Sequence, residues 1–190
     1  GIPNWGVFGR KELQGGGPLI DIGVHALDMT HYAMGLPQPV AASAQTYTYM
    51  GNKKSKTVSL WAGWDHKTYN VEDLATGYVR FDNGATMSIE SSFIAHTDDG
   101  PTMDFWVMGT KGGAHHSEAK LYYDKDNYMM DASPAYLPKV DFFRVKMRNF
   151  VDAALYGKQD QSPIEHGLMI QQIIDGLYES AEKGKEVAIK

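Results

Sequence analysis

From Pro18 to Met34 the chain is apolar at most positions, in helical spacing, and the pattern then changes sharply. Pro18 suits a first helical turn and Gly35 the position just past the last one, while Pro37 and Pro39 forbid continuation. Residues 40–50, VAASAQTYTYM, alternate loosely and carry β-formers, which predicts a strand. A polar, lysine-bearing loop over 51–57 follows, then an aromatic stretch, 58–73, whose pattern favours neither helix nor strand. Residues 75–81 and 85–93 read as strands joined at Asp82-Asn83-Gly84, because Asn and Gly both tolerate positive φ in a tight hairpin. Further strands are expected at 102–109, at 114–117 after Lys111-Gly112-Gly113, and over 119–124.

Two helices close the chain. In 141–156, Phe143, Met147, Phe150, Val151 and Ala154 recur three and four apart, and Gly157 ends the run. The second opens with a capping box, Ser162-Pro163-Ile164-Glu165. Leu168, Ile170, Ile174, Leu177 and Ala181 form its apolar side, Gly184 follows its end, and residues 186–189 make a short last strand. Residues 1–16 are a loop-like lead-in to a single domain. A helix, then bunched strands, then two helices predict the α+β class, with an open-faced, mostly antiparallel sheet and helices packed on one face.

The first helix carries a thin polar line. At about 100° per residue, Asp21, His25, Asp28 and Tyr32 fall within an arc of roughly 60°. The rest of its circumference is apolar, so the helix is expected to be largely buried. The line is too narrow for an ordinary solvated face, and its groups must satisfy one another or border a cavity. A buried carboxylate without partners costs several kcal/mol or takes up a proton. Histidine titrates near neutrality, and a carboxyl group one turn earlier can orient the ring and favour its charged form. His25 and Asp21 are therefore candidate catalytic residues, suited to taking a proton from a hydroxyl while hydride leaves the same carbon. Asp28 and Tyr32 are candidate substrate contacts, and Gly15–Gly17 would let backbone approach a ligand closely. Two other readings stay open: a buried structural hydrogen bond, and a metal site built from Asp, His and Asp. No second cluster has ligand spacing, so no metal is expected. His115 and His116 are adjacent and would point to opposite faces of a strand; they, His31 and His96 receive no role.

Composition narrows the field. The 190 residues carry a net charge of −5 and no cysteine, which excludes a disulfide scaffold, a thiolate metal site and a cysteine nucleophile. The densest basic group is Lys53, Lys54 and Lys56, too small for a phosphate-tracking surface, so nucleic acid is not an expected partner. No apolar run reaches the roughly 18 residues of a membrane span, and a cytoplasmic setting is expected. Six aromatic residues, Tyr47, Tyr49, Trp61, Trp64, Tyr78 and Trp106, offer core, a self-association surface or a sugar-stacking platform. Core is the default place for most of them.

The segment GGGPLIDIGVHALD, residues 15–28, resembles the signature opening the C-terminal domain of the glucose-fructose oxidoreductase / inositol dehydrogenase / MocA family. The tail SPIEHGLMIQQIIDGLYESAEKGKEVAI resembles that family's closing helix and strand, and YVRFDNGATMSIESSF its central hairpin. The resemblance covers roughly residues 15–190 and implies a two-domain oxidoreductase. An N-terminal Rossmann domain would bind NAD or NADP, and this domain would supply substrate contacts and a subunit interface. It implies His25 as proton acceptor or donor at the substrate hydroxyl, with Asp21 orienting it and a lysine from the other domain assisting. The implied substrates are sugars, inositols or related polyols, and the implied assembly is a homo-oligomer through the open sheet face. No Gly-x-Gly-x-x-Gly follows a strand here, no βαβ alternation occurs, and the family's Glu-Lys-Pro segment is missing. The chain is therefore expected to be part of a longer protein and inactive alone. A non-catalytic ligand-binding or assembly domain on the same fold is the alternative.

Overall fold

A computed structural model describes residues 2–58, 61, 63–97 and 102–190, and their elements follow the expected order. A one-turn helix, α1 (Lys11–Gln14), interrupts the predicted lead-in loop. A π-helical turn (Leu19–Gly23) runs directly into α2 (Val24–Ala33), and the two form the first long helix. The strands are β1 (Pro39–Tyr47), β2 (Leu74–Phe81), β3 (Thr86–Ser92), β4 (Trp106–Gly109), β5 (Gly112–His115), β6 (Lys120–Lys125) and β7 (Tyr128–Ala132). Helices α3 (Phe142–Tyr156) and α4 (Ile164–Lys183) follow, then β8 (Val187–Ala188). Two four-stranded antiparallel sheets result, ordered β3-β2-β1-β8 and β4-β5-β6-β7. The fold is α+β. The chain divides into two compact units, Gly1–Met103 with Met169–Lys190, and Asp104–Leu168.

In the first unit, period-two alternation decides which sheet face is buried. Met87, Ile89 and Ser91 of β3 point inward, while Thr86, Ser88 and Glu90 point out. The inner face, with Ala42, Ala75, Val79 and Phe81, meets Leu19 and Leu27 of the first helix and Ile170, Ile173, Ile174 and Leu177 of α4. Of the apolar side predicted for α4, Leu168 is exposed, and Met169 and Ile173 are buried beside the expected residues. The outer face, with Val40, Tyr78 and Arg80, is open. A smaller cluster of Ile2, Tyr69, Val71 and Phe93 packs the lead-in. The larger cluster is mostly aliphatic, with Phe81 its one aromatic ring among the described buried residues. Tyr49, Trp61, Tyr78 and Trp106 are exposed and Tyr47 and Trp64 half-buried, which corrects the expectation that most of the six fill the core.

The β2–β3 turn lies where predicted but has another geometry. Only Gly84 takes positive φ, at +83°. The Gly84 amide donates to the Phe81 carbonyl at 3.1 Å and the Phe81 amide to the Ala85 carbonyl at 3.0 Å, giving a three-residue loop with a glycine bulge.

The second unit is a meander. Its β6–β7 hairpin turns on Asp126 and Asn127, both at positive φ (52° and 66°), the mirror-turn geometry expected instead at residues 82–84. Strand β7, which lacks alternation, had no predicted counterpart. Helix α3 is capped as its sequence dictates: Asp141 accepts from the Arg144 amide at 3.0 Å, and Gly157 ends the helix in the left-handed conformation. Its predicted apolar side is nonetheless open, with Phe143 76% and Phe150 63% exposed. Among the described residues, no helix is long and apolar enough to cross a membrane.

Candidate active site

The first helix begins on a buried carboxylate. The first amides of any helix lack partners within it. Here the Gly17 amide donates to Glu72 Oε2 at 2.8 Å and the Leu19 amide to Glu72 Oε1 at 3.1 Å. The Tyr178 hydroxyl donates to Glu72 Oε1 at 2.8 Å. Burial, then the neighbouring Glu72 charge, pushes the Tyr178 phenol well above its usual range. A negative charge at a helix N-terminus is also favoured by the helix dipole. The glycines serve this internal contact: a Cβ on Gly17 would lie 2.1 Å from the Glu72 carbonyl oxygen, and one on Gly16 would lie 2.2 Å from the Tyr178 hydroxyl. Close approach to Glu72 and Tyr178 thus accounts for Gly16 and Gly17, two of the glycines expected to face a ligand.

Ser91 completes the anchor. Its hydroxyl donates to the Pro18 carbonyl at 2.8 Å, and Gly23 packs against its side chain. The π-helical turn sits between these contacts, above the inner face of β3. Such turns widen a helix locally and often occur at functional sites.

The predicted polar line exists, but on the open side of the helix. Asp21 is half-buried, His25 and Asp28 are exposed, and Tyr32 is 68% exposed. The buried stripe is Leu19, Gly23, Leu27 and His31, spaced by four. The helix is therefore packed along one stripe rather than buried nearly all round. Apolar Ile22 and Ala33 remain exposed, because the sheet covers only one side. Burial raises the Asp21 carboxyl above its usual range, and the nearby His25 partly offsets this through charge. No residue of the line borders the shallow cleft of about 170 Å³ lined by Lys53, Lys54, Ser55, Gly63, Trp64 and His66. Chemically, the line offers a solvent-accessible imidazole one turn beyond a carboxyl group that is reluctant to ionise.

A family model described as "Oxidoreductase family, C-terminal alpha/beta domain" matches residues 2–189. The chain belongs to the Gfo/Idh/MocA oxidoreductase family. Among curated relatives, the D-glucoside 3-dehydrogenase of Escherichia coli (strain K12) is 35% identical over 189 residues, covering 100% of this chain and 53% of that protein. The D-xylose 1-dehydrogenase (NADP(+)) 2 of Haloferax volcanii is 23% identical over 184 residues, covering 92% of this chain and 48% of that protein. This Gfo/Idh/MocA chain spans about half the length of the curated relatives it matches. Levoglucosan dehydrogenase, solved in complex with NADH, shares the fold with a TM-score of 0.76 at 20% identity, covering 98% of this chain and 54% of that one. All strand pairs among the described residues are antiparallel.

Sequence reasoning missed the structural roles of several polar residues in this domain. His31 is 0% exposed; its Nε2 donates to the Pro37 carbonyl at 2.7 Å, and its ring stacks on Phe81. It locks the end of α2. Asp73, beside Glu72, accepts from the Met50 and Gly51 amides at 2.7 and 2.8 Å. The signal available for both acids was their adjacency at the start of an apolar strand, where an acid must find donors or stay out.

In the second unit, Asp104 Oδ2 lies 2.6 Å from His115 Nε2 and 2.6 Å from Ser117 Oγ. Burial opposes the Asp104 charge, but hydrogen bonds from Ser117, His115 and the Phe105 amide outweigh it and hold the carboxyl well below the usual range. The three side chains do not form a nucleophilic relay. Ser117 gives its proton to Asp104, and Asp104 and Ser117 crowd the same imidazole nitrogen, whereas a triad needs them on opposite ones. His115 stacks on Trp106 and His116, just past the end of β5, on Phe105, and both rings approach the Asp104 carboxylate, at 2.6 and 3.8 Å. No group of three or more His, Cys, Asp or Glu side chains among the described residues is arranged to hold a metal.

Proposed function

We propose that this chain is the substrate-side domain of an NAD(P)-dependent oxidoreductase acting on a sugar, an inositol or a related polyol. His25 is the general acid/base at the reacting hydroxyl. Asp21 orients it, and Asp28 and Tyr32 contact substrate. The observation that carries this reading is the pairing on one accessible helical line of an imidazole with a half-buried carboxyl group whose ionised form burial disfavours. An imidazole beside a carboxyl group on an open helical line is a pair suited to general acid–base work. The names of the relatives, dehydrogenases of D-glucosides and D-xylose, supply the substrate class. Hydride chemistry belongs to the nicotinamide, which the remainder of a longer protein would hold. In this chain His25 takes the hydroxyl proton as the carbonyl forms and returns it in the reverse direction. Asp21 keeps the ring aimed and supports its charged form.

The domain also self-associates through its open sheet face, where Val40 and Tyr78 meet water on the single chain.

The test is a dehydrogenase screen of the full-length protein against glucosides, aldoses and inositols with NAD and with NADP. Turnover is expected with at least one sugar or polyol, and none from the 190 residues alone. A full-length protein inert towards the whole panel, or NAD(P)-dependent oxidation by the isolated chain, overturns the reading.

A further inference from the structure

We propose that Glu72, assisted by Ser91, is the positioning residue for the Asp21–His25 pair. The inference rests on the acid–base role given above to that pair. Glu72 is only 7% exposed, and its carboxylate is consumed by the Gly17 and Leu19 amides and the Tyr178 hydroxyl. Its own backbone is fixed as well, because the Tyr69 hydroxyl donates to the Glu72 carbonyl at 2.8 Å. The carboxylate thus joins the start of β2, helix α4 and the first turn of the first helix at one point. Asp21 lies two residues beyond Leu19, inside the π-helical turn whose entry Glu72 holds. Ser91 holds the Pro18 carbonyl between the two anchored amides. Among the described residues, no neighbouring element gives Asp21 or His25 a hydrogen bond, so their placement is inherited from the buried end of the helix. A displacement of about 1 Å at a reacting group can cost 100-fold in rate.

Glu72→Gln removes part of this anchor without changing size. A carboxamide has one acceptor oxygen, and its NH2 must then confront an N–H or O–H donor. In the full-length protein we expect kcat to fall roughly 10- to 100-fold while the KM for the nicotinamide cofactor stays within about twofold. The Asp21 step in the pH–rate profile moves to lower pH as the loosened turn exposes that carboxyl. Ser91→Ala gives a smaller loss, roughly threefold to tenfold, and carries the test if Glu72→Gln does not fold. Asp104→Asn removes a different, half-buried carboxylate and serves as the stability control, with melting lowered and kcat retained. The proposal is overturned if folded Glu72→Gln, or Ser91→Ala, keeps the wild-type kcat and pH profile while His25→Ala abolishes turnover. If His25→Ala itself keeps wild-type turnover, the acid–base reading fails instead, and with it the object that Glu72 would position.

Discussion

Two aspartates with opposite surroundings illustrate how position sets charge. Asp21 is half-buried, and burial raises its carboxyl more than the nearby His25 lowers it. A raised folded-state pKa means the native state holds the proton more tightly, so the stabilisation is complete below the unfolded value of about 3.9 and is lost as pH rises through the folded one. Asp21→Asn should therefore raise the melting temperature at pH 7, with the difference disappearing near pH 3.5, while it lowers turnover. Thermal melts at the two pH values check this; a lower melting temperature at pH 7 would show that the carboxylate stabilises the fold. Asp104 is the reverse case, depressed because four donor groups outweigh its burial. Its stabilisation is complete above about pH 3.9 and is lost as pH falls further. Asp104→Asn should cost about 2–3 kcal/mol at pH 7 and flatten the acid limb of stability. The sequence made Asp21 and His25 conspicuous because polar residues in an apolar helix stand out. It hid Glu72, Asp104 and His31, whose partners lie 55, 11 and 6 residues away respectively for Gly17, His115 and Pro37. Such pairings are created by tertiary contact and leave no local spacing.

At the scale of elements, the first helix was legible from its period and its flanking prolines, whereas its depth of burial was not. Apolar residues around most of a helix predict burial only if neighbours exist on every side, and here a single sheet covers one stripe. The glycine run marks where the helix meets Glu72 and Tyr178. Gly17→Ala would drive a methyl group into the backbone oxygen of Glu72, which cannot rotate away. We expect a loss of about 1–3 kcal/mol or more, read as a lower denaturation midpoint; an unchanged midpoint would contradict the packing described. The hairpins show a limit of turn chemistry. Asp-Asn-Gly and Asp-Asn each specify a turn, but loop length, set by strand register, decides which residues take positive φ.

For the whole molecule, the buried apolar residues are concentrated in one unit, and much apolar surface stays open. Val40 and Tyr78 on the first sheet and Phe143 and Phe150 on α3 are all exposed. Monomers seldom leave such surface uncovered. Sedimentation at micromolar concentration should give a mass above the 21.1 kDa of the chain, and a pure monomer would refute self-association. The α+β class was readable from element order, because bunched strands close antiparallel sheets. The division into two units was not: Gly100-Pro101 lies just ahead of the first boundary, but such a dipeptide marks ordinary turns as well, and α4 runs through the second.

The account is tested most directly by steady-state turnover of His25→Ala in the full-length protein, at saturating sugar and cofactor. Loss of a general acid/base predicts a fall of roughly 100- to 10,000-fold in kcat, with the cofactor KM unchanged. A variant that turns over within twofold of the wild type would show that the exposed helical line carries no chemistry.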